Sequence, residues 1–210
     1  EDIKLNFEID EKAEITIEVN PGTVTLEKLE DYKRAGINRL SIGLQSTHEH
    51  LLKEIGRIHT YLDFLDTFRF AREAGFENIN VDLMIGLPNQ TLEEVKDSIE
   101  EIVSMEPEHI SVYSLILEEN TPLFKKVEEG LELPNEDLER KMYWAVKQTL
   151  EQNNYIHYEI SNFAKQGYES KHNLDCWNQK EYIGFGVAAH SYTNGIRYSN
   201  IENLEQYIKN

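Results

Sequence analysis

Short apolar runs that end in polar residues recur along the chain, and they predict the strands of a single sheet. The clearest run is Asn38–Ser46, in which aliphatic residues precede the polar pair Gln45 and Ser46. Three further runs share this plan and are predicted as strands: Glu14–Glu18, Ile79–Met84 and His109–Leu115. Each run carries a polar side chain near its carboxyl end, which is where parallel α/β sheets bind their ligands.

Amphipathic segments with recognisable N-terminal caps separate these runs and predict helices. The residues that mark the helix starts are Thr25, Thr60, Thr91, Thr121 and Asn135, with capping boxes completed by Asp63 and Glu94. Because one helical crossover joins each pair of strands, we expect the strands to be adjacent and parallel. Alternating strands and helices limit the architecture to a barrel or a doubly wound sheet, and eight strands are not available for a closed barrel.

The two ends of the chain follow this plan less closely. Residues 3, 5, 7 and 9 are apolar and alternate as in a strand, although the same residues could end a helix. Tyr155–Ile160 is a candidate fifth strand. Residues 161–200 are rich in aromatic residues, Asn, Gly and His, and we interpret them as an irregular extension folded over the strand ends. In the helix after Asn135, one face is predicted to hold Leu138, Met142, Ala145 and Thr149.

Composition and charge exclude several classes of partner. The chain has 210 residues with 39 acidic and 21 basic side chains, and its formal net charge is −18. This charge argues against nucleic acid or an anionic membrane as the main partner. No apolar run approaches the roughly 20 residues of a membrane helix. The single cysteine, Cys176, excludes an intrachain disulfide and favours a cytoplasmic location.

The first residue is Glu1 rather than Met, so we expect the chain to be a piece of a longer protein. If strands that precede Glu14–Glu18 are missing, that strand has an unpaired edge. Unpaired edges pair readily with other chains. We therefore expect self-association as a homo-oligomer, either through this edge or with residues 3–9 folded back on it.

Four polar side chains at or beyond the predicted strand ends form the candidate site: Glu18, Gln45, Arg57 and Asp82. Carboxylates suit the hydroxyl or ammonium groups of a ligand, and Arg57 suits a ligand carboxylate held by two parallel hydrogen bonds. A ligand with ribose hydroxyls, an amine and a carboxylate would use all four. The alternative is that Glu18 and Asp82 only cap neighbouring helices or pair with Arg39.

Other patterns indicate less about chemistry. The segment GLPNQT at residues 86–91 lacks the second glycine and the lysine of a phosphate-binding loop, and GFG at residues 184–186 is too short for a dinucleotide motif. The spacing of His172, Cys176 and His190 matches no zinc signature. A haem or porphyrin ligand at His172 or His190 is the sharper hypothesis, because haem iron accepts an axial histidine.

Several motifs, taken together in this order and spacing, resemble the radical S-adenosylmethionine (SAM) family. The motifs are EITIEVNPGT, NRLSIGLQS, IGRIHT, NVDLMIGLPNQT, YSLILEENTPL, YEISNFA, HNLDCW and YIGFGVAAHS. Within that family they are similar to the oxygen-independent coproporphyrinogen III oxidase-like proteins, and more to their HemW-type haem chaperone branch than to the true oxidases. The resemblance covers nearly all of the chain.

The resemblance implies a fold, cofactors and partners. The fold of the family is α/β, a partial, open parallel βα barrel of six units. Residues 1–160 are expected to form this barrel truncated at its N-terminus, and residues 161–210 to start the C-terminal region of the family. The cofactors are S-adenosylmethionine and a 4Fe-4S cluster. The partners are a tetrapyrrole, either coproporphyrinogen III or haem, and an electron donor protein. The implied function is coproporphyrinogen III oxidase-like, and the alternative is haem delivery without decarboxylation.

The resemblance also assigns residues to the cofactor and shows where this chain departs from the family. Glu18, Gln45, Arg57 and Asp82 fall in motifs that contact S-adenosylmethionine, and Ile116 falls at a further contact. The CxxxCxxC cluster motif and the GGxP-type cofactor loop of the family are absent from this sequence. By this comparison the first two barrel strands and the end of the C-terminal domain lie outside it. Cys176 stands where the family usually has Tyr, and Ala188 stands where glycine is expected.

Overall fold

The computed structural model describes residues 5–209, and these residues form two compact units. The first unit extends to Tyr168 and the second begins at Glu169. The boundary lies beyond the expected one at residues 160 and 161, because a short strand at Asn162–Ala164 belongs to the sheet of the first unit.

The first unit alternates strands and helices over most of its length. Its strands are β1 (Thr16–Val19), β2 (Arg39–Gln45), β3 (Ile79–Ile85), β4 (His109–Ser114), β5 (Ile156–His157) and β6 (Asn162–Ala164). Its helices are α1 (Leu26–Ala35), α2 (Glu49–Glu54), α3 (Tyr61–Glu73), α4 (Leu92–Ser104), α5 (Pro122–Glu128) and α6 (Glu136–Gln152). The four strands predicted most clearly from the sequence are therefore confirmed, with ends that differ by one or two residues.

The strands form one sheet in the order β1-β2-β3-β4-β6-β5. The first four strands are parallel, as expected from the helical crossovers between them. Strand β6 pairs antiparallel with both β4 and β5. The sheet is thus mixed, since the chain returns to β4 through a tight reversal after β5 and not through another crossover.

The two faces of the sheet differ sharply in polarity. One face is aliphatic and packs against the helices, and its buried residues include Leu40, Ile42, Leu44, Ile79, Val81, Leu83, Ile110 and Val112. Burying these side chains gives the main favourable free energy of folding for this unit. The alternate residues of the same strands are polar and lie on the opposite face. That face carries the candidate site.

The helix starts agree with the sequence prediction. Thr60 and Thr91 accept hydrogen bonds from the backbone N–H groups of Asp63 and Glu94, and both capping boxes are complete. Thr25 caps α1 in the same manner, and Gly36 ends that helix in the left-handed region with φ = 98°. These caps fix where each crossover begins, so they also fix the lengths of the loops at the strand ends.

The structure decides or corrects three sequence predictions for this unit. Residues 5 and 6 are helical and residues 7–10 contain no strand, so of the two alternatives for residues 3–9 the end of a helix agrees with the described residues; Ile3 lies outside them. The predicted strand Tyr155–Ile160 shortens to β5, because the chain already turns at residues 159–160 toward β6. Helix α6 buries Met142, Val146 and Leu150, so its core face is rotated away from Ala145 and Thr149.

Strand β1 is an edge of the sheet. Among residues 5–209 it pairs with β2 and with no other strand, and Thr16 and Glu18 are exposed. No helix in the described part of the chain is long and apolar enough to cross a membrane.

The second unit is more regular than its composition suggests. It contains the helices α7 (Lys171–Trp177) and α8 (Leu204–Lys209) and the hairpin of β7 (His190–Thr193) and β8 (Ile196–Ser199). The prediction of an irregular extension is therefore wrong. Asn194 and Gly195 both have positive φ, 50° and 75°, as a two-residue hairpin turn of type I′ requires.

Two residues of the second unit explain features of its sequence. A Cβ on Gly184 would clash with the carbonyl oxygen of His190, so the glycine of the GFG segment serves close packing of the chain. Ala188 has φ = 58°, in the left-handed region that favours glycine. This conformation accounts for the glycine that the motif comparison leads one to expect at that position.

Candidate functional site

The polar face of the sheet brings the predicted site residues to neighbouring strands. In the strand register, Glu18 is paired with Ser41, Gly43 with Asp82, and Asp82 with Ser111. Gly43 has no side chain, so Gln45 and Asn20 can approach the backbone of β2 there. A Cβ at position 43 would lie 3.1 Å from Nε2 of Gln45 and 3.4 Å from Oδ1 of Asn20. A larger residue there would crowd the residues on both sides.

Gln45 and Tyr113 form the part of the site nearest the carboxyl ends of the strands. The Tyr113 hydroxyl donates a hydrogen bond of 2.9 Å to Oε1 of Gln45. Gln45 is buried and has φ = 78°, and the register between β2 and β3 shifts beside it. Nε2 of Gln45 makes no hydrogen bond to any of residues 5–209, so it is free to donate to a ligand.

The surroundings of Tyr113 show which charged groups converge on this edge. Burial raises the pKa of Tyr113, and the carboxylate of Asp82 raises it further. The Arg57 guanidinium lowers that pKa, and Glu18 raises it. The pKa of Tyr113 therefore depends on the charges of three predicted site residues, Glu18, Arg57 and Asp82. Its hydroxyl is hydrogen-bonded to the fourth, Gln45.

Arg57 follows α2 and reaches back across the sheet edge. Its Nη1 donates a hydrogen bond of 3.2 Å to Oδ1 of Asn20, in the turn after β1. Within the described part of the chain, Arg57 has no carboxylate within ion-pair distance. A half-buried guanidinium with most of its donors unused can bind a carboxylate through two parallel hydrogen bonds.

Asp82 is anchored from within the sheet. Its Oδ2 accepts a hydrogen bond of 3.0 Å from Ser41, and its Oδ1 accepts one of 2.7 Å from Nδ2 of Asn80. Burial raises the pKa of Asp82, while these hydrogen bonds and the charge of Arg39 oppose the increase. A carboxylate has about four acceptor sites, so Asp82 can still accept hydrogen bonds from a ligand.

The alternative, purely structural interpretation of Glu18 and Asp82 is only partly correct. Neither residue caps a described helix. The charge of Arg39 does lower the pKa of Asp82, but the two side chains make no ion pair within 4 Å. Arg39 is 6% exposed, and its Nε has no hydrogen-bond partner among residues 5–209.

Ile116 is not brought to this cluster by any described contact. It lies beyond the end of β4 and is 80% exposed. Its assignment to the cofactor stays a prediction. Tyr113 and Asn80 belong to this cluster through their hydrogen bonds to Gln45 and Asp82, and neither is among the four residues predicted from the sequence. The alternation of Asn80 with Asp82 and of Ser111 with Tyr113 was the available signal, since residues two apart on a strand share a face.

The donors and acceptors of this edge fit S-adenosylmethionine. Two carboxylates suit its ammonium and ribose hydroxyl groups, and a guanidinium suits its carboxylate. An amide can donate to the carboxylate or accept from the ammonium and hydroxyl groups. The described residues do not fit a 4Fe-4S cluster. No group of three or more Cys, His, Asp or Glu side chains that could hold a metal occurs in residues 5–209, and the one cysteine cannot supply three thiolates.

The second unit holds a separate cavity of about 310 Å³. It is lined by Cys176, Gln179, Tyr182, Tyr192 and Arg197. His172 adjoins this cavity, because its Nε2 lies 3.7 Å from Sγ of Cys176 and its ring packs edge-on against Tyr182. His190 is exposed at the start of β7.

Comparison with known proteins identifies the family to which this chain is similar. The profile described as "Radical SAM superfamily" matches residues 1–102. The heme chaperone HemW of Bacillus subtilis is 46% identical over 197 residues, which are 93% of this chain and 52% of that protein. HemW of Lactococcus lactis is 42% identical over 197 residues, with the same coverage of 93% and 52%.

A solved structure supports the fold. Coproporphyrinogen III oxidase HemN of Escherichia coli, a radical SAM enzyme, matches with a TM-score of 0.82 and 24% identity over 99% of this chain and 50% of that one. This likeness confirms the expected α/β partial barrel. The chain spans about half the length of the curated relatives it matches. The chain belongs to the radical SAM superfamily, and within it to the branch of the HemW proteins.

Proposed function

We propose that the carboxyl edge of the parallel strands binds S-adenosylmethionine, in a protein that carries haem. The observation that supports the cofactor site best is that Glu18, Gln45 and Asp82 lie on three adjacent parallel strands, with Gln45 bonded to Tyr113 and Arg57 bonded to Asn20 in the turn after β1. Such convergence of strand-end polar groups is the common arrangement of ligand sites in parallel α/β sheets.

Each residue has a distinct part in this proposal. Arg57 binds the carboxylate of the cofactor, and Nε2 of Gln45 donates to one of its oxygen atoms. Glu18 and Asp82 accept hydrogen bonds from its ammonium and ribose hydroxyl groups. When bound, S-adenosylmethionine supplies the radical chemistry of the superfamily, and the chain's own residues bind and orient it. Ile116 is proposed as an apolar contact at the border of the site.

Haem is the cargo that the relatives favour. The two curated relatives described above are both named heme chaperone. The coproporphyrinogen III oxidase resembles this chain at 24% identity, and that likeness concerns the fold alone. We therefore prefer the haem chaperone to the decarboxylase, reversing the order in which the sequence motifs placed them. A cytoplasmic location and an electron donor protein as partner stay predictions.

The second unit offers a place for the tetrapyrrole. The cavity beside His172 combines an imidazole, the aromatic rings of Tyr182 and Tyr192, and the guanidinium of Arg197. Aromatic rings suit a flat macrocycle, a guanidinium suits its carboxylates, and an imidazole suits its iron. His190 is the second candidate for the axial ligand.

The test uses the complete protein in two assays. Haem titration followed by the Soret band should show saturable binding that weakens in His172→Ala or His190→Ala. His50→Ala is the control, since His50 is exposed in the first unit and pairs with Glu94. Incubation with coproporphyrinogen III, reductant and S-adenosylmethionine should give no decarboxylated product. Turnover of coproporphyrinogen III without haem binding would contradict the proposal in favour of the oxidase.

A further inference from the structure

A run of hydrogen bonds crosses the polar face of the sheet below Asp82, on the side of the strands' amino ends. Asn80 is its centre. Nδ2 of Asn80 donates to Oδ1 of Asp82 at 2.7 Å and to Oγ of Ser41 at 2.7 Å. Oδ1 of Asn80 therefore faces the next strand, where it accepts from Ser111 at 3.1 Å and lies 2.5 Å from Nδ1 of His109.

The protonation of His109 fixes which groups donate and which accept in this series of hydrogen bonds. The ring is completely buried, and burial together with the charge of Arg39 lowers the pKa of His109 to about 3. A neutral imidazole carries one N–H, and Oδ1 of Asn80 can only accept. The proton of His109 therefore lies on Nδ1, and Nε2 accepts a hydrogen bond of 2.7 Å from the hydroxyl of Tyr158.

We propose that Tyr158 and His109 are positioning residues of the cofactor site, which through Asn80 fix the orientation of the Asp82 carboxylate. This inference rests on the proposed function, because it takes Asp82 as a cofactor contact. Tyr158 donates to His109, His109 to Asn80, and Asn80 to Asp82. Tyr158 lies between β5 and β6, so the return of the chain to the sheet is coupled to the site across β4 and β3.

The coupling follows from the proton on one ring nitrogen. In the other tautomer of His109, the lone pair of Nδ1 would face Oδ1 of Asn80. The Asn80 amide would then turn over to offer its N–H to His109, and its carbonyl oxygen would point at the carboxylate of Asp82. Two acceptors in contact repel, so Asp82 would keep the hydrogen bond from Ser41, lose the one from Asn80 and move. In the observed arrangement the hydroxyl of Tyr158 donates to Nε2, which keeps the proton of His109 on Nδ1 and the Asn80 amide in place.

The first test combines a spectrum with a binding measurement on the complete protein. Nitrogen-15 NMR of labelled histidine should report the Nδ1–H tautomer for His109. Tyr158→Phe removes the donor and should weaken S-adenosylmethionine binding about threefold to tenfold, the usual effect of one lost hydrogen bond. Tyr155→Phe is the matched control, because it deletes a buried hydrogen bond of 2.7 Å to the backbone of Pro107, outside this run.

A second pair of variants separates positioning from packing. The amide nitrogen of Asn at position 109 stands near Nδ1 of histidine and can still donate to Asn80, whereas that of Gln reaches toward Nε2 and cannot. We expect His109→Asn to bind S-adenosylmethionine more tightly than His109→Gln, although Asn leaves the larger void. A role in packing alone gives the reverse order.

The outcomes distinguish this inference from the proposal on which it rests. An Nε2–H signal for His109 overturns the inference. Wild-type affinity in Tyr158→Phe, together with weakened binding in Asp82→Asn, overturns the positioning role and leaves the cofactor site in place. Unchanged affinity in Asp82→Asn overturns the cofactor site and the inference together.

Discussion

Replacing Arg57 by Ala is the cleanest perturbation of the proposed cofactor site. In the folded chain Arg57 makes one hydrogen bond, to Asn20 at an exposed position, and it makes no ion pair with any of residues 5–209. Its loss should lower the free energy of unfolding by at most about 1 kcal/mol, which corresponds to a decrease of roughly 2–4 °C in Tm for a chain of this size. Effects on binding can therefore be separated from effects on folding.

The expected effect on binding is much larger. A charged, bidentate hydrogen bond to a ligand carboxylate contributes on the order of 1.5–3 kcal/mol, which corresponds to a loss of about tenfold to a hundredfold in affinity. Calorimetric titration of S-adenosylmethionine into the complete protein measures this loss. Arg140→Ala is the control, since it removes the same charge from an exposed pair with Asp137 on α6. Equal affinities in the two variants would refute the assignment of Arg57.

Three further predictions concern the whole chain. The 210-residue chain should bind no iron–sulfur cluster alone, because it has one cysteine; reconstitution with about four irons, lost in Cys176→Ser, would contradict this. The free energy of unfolding should fall as the pH drops from 6.5 toward 3, because His109 is protonated in the unfolded chain over this range and stays neutral in the folded one. The fall should be roughly 2 kcal/mol by pH 5 and largely absent in His109→Gln, as measured by urea unfolding. The open edge of β1 should cause self-association, and a single monomeric species in sedimentation at all concentrations would exclude it.

Local patterns were sufficient to predict the parallel half of the fold. The runs that became β2 and β3 are strongly apolar and end at turns, and Thr60 and Thr91 mark the helices with capping boxes. Strand β6 could not be found this way. It has three residues, and it is stabilised by pairing with β4, a partner some fifty positions away in the chain.

The hairpin of the second unit was missed although its signal is present. Asn194-Gly195 between two alternating segments is a strong short-range hairpin pattern, and it lies within a region whose aromatic, Asn and Gly content is also typical of irregular structure.

The site was predictable only in part. Glu18, Gln45 and Asp82 follow from the rule that strand-end polar groups converge, and Arg57 from the ligand chemistry and the family motif. The network around Asn80 was not predictable, because it depends on the register of three strands and on the approach of Tyr158 from beyond β5. The burial of Arg39 likewise depends on tertiary packing, which no local pattern encodes.

Binding of S-adenosylmethionine to Asp82→Asn and His190→Ala, side by side in the complete protein, tests the central claim most directly. Asn is nearly the same size as Asp, but its N–H₂ group opposes the donors of Asn80 and Ser41, and the substitution removes the charge that we propose for binding the cofactor. The cofactor site at the strand edge predicts that Asp82→Asn loses at least tenfold in calorimetric affinity while His190→Ala binds as the wild type does. Wild-type affinity in Asp82→Asn, with binding lost in His190→Ala, would contradict the account and move the cofactor site to the second unit.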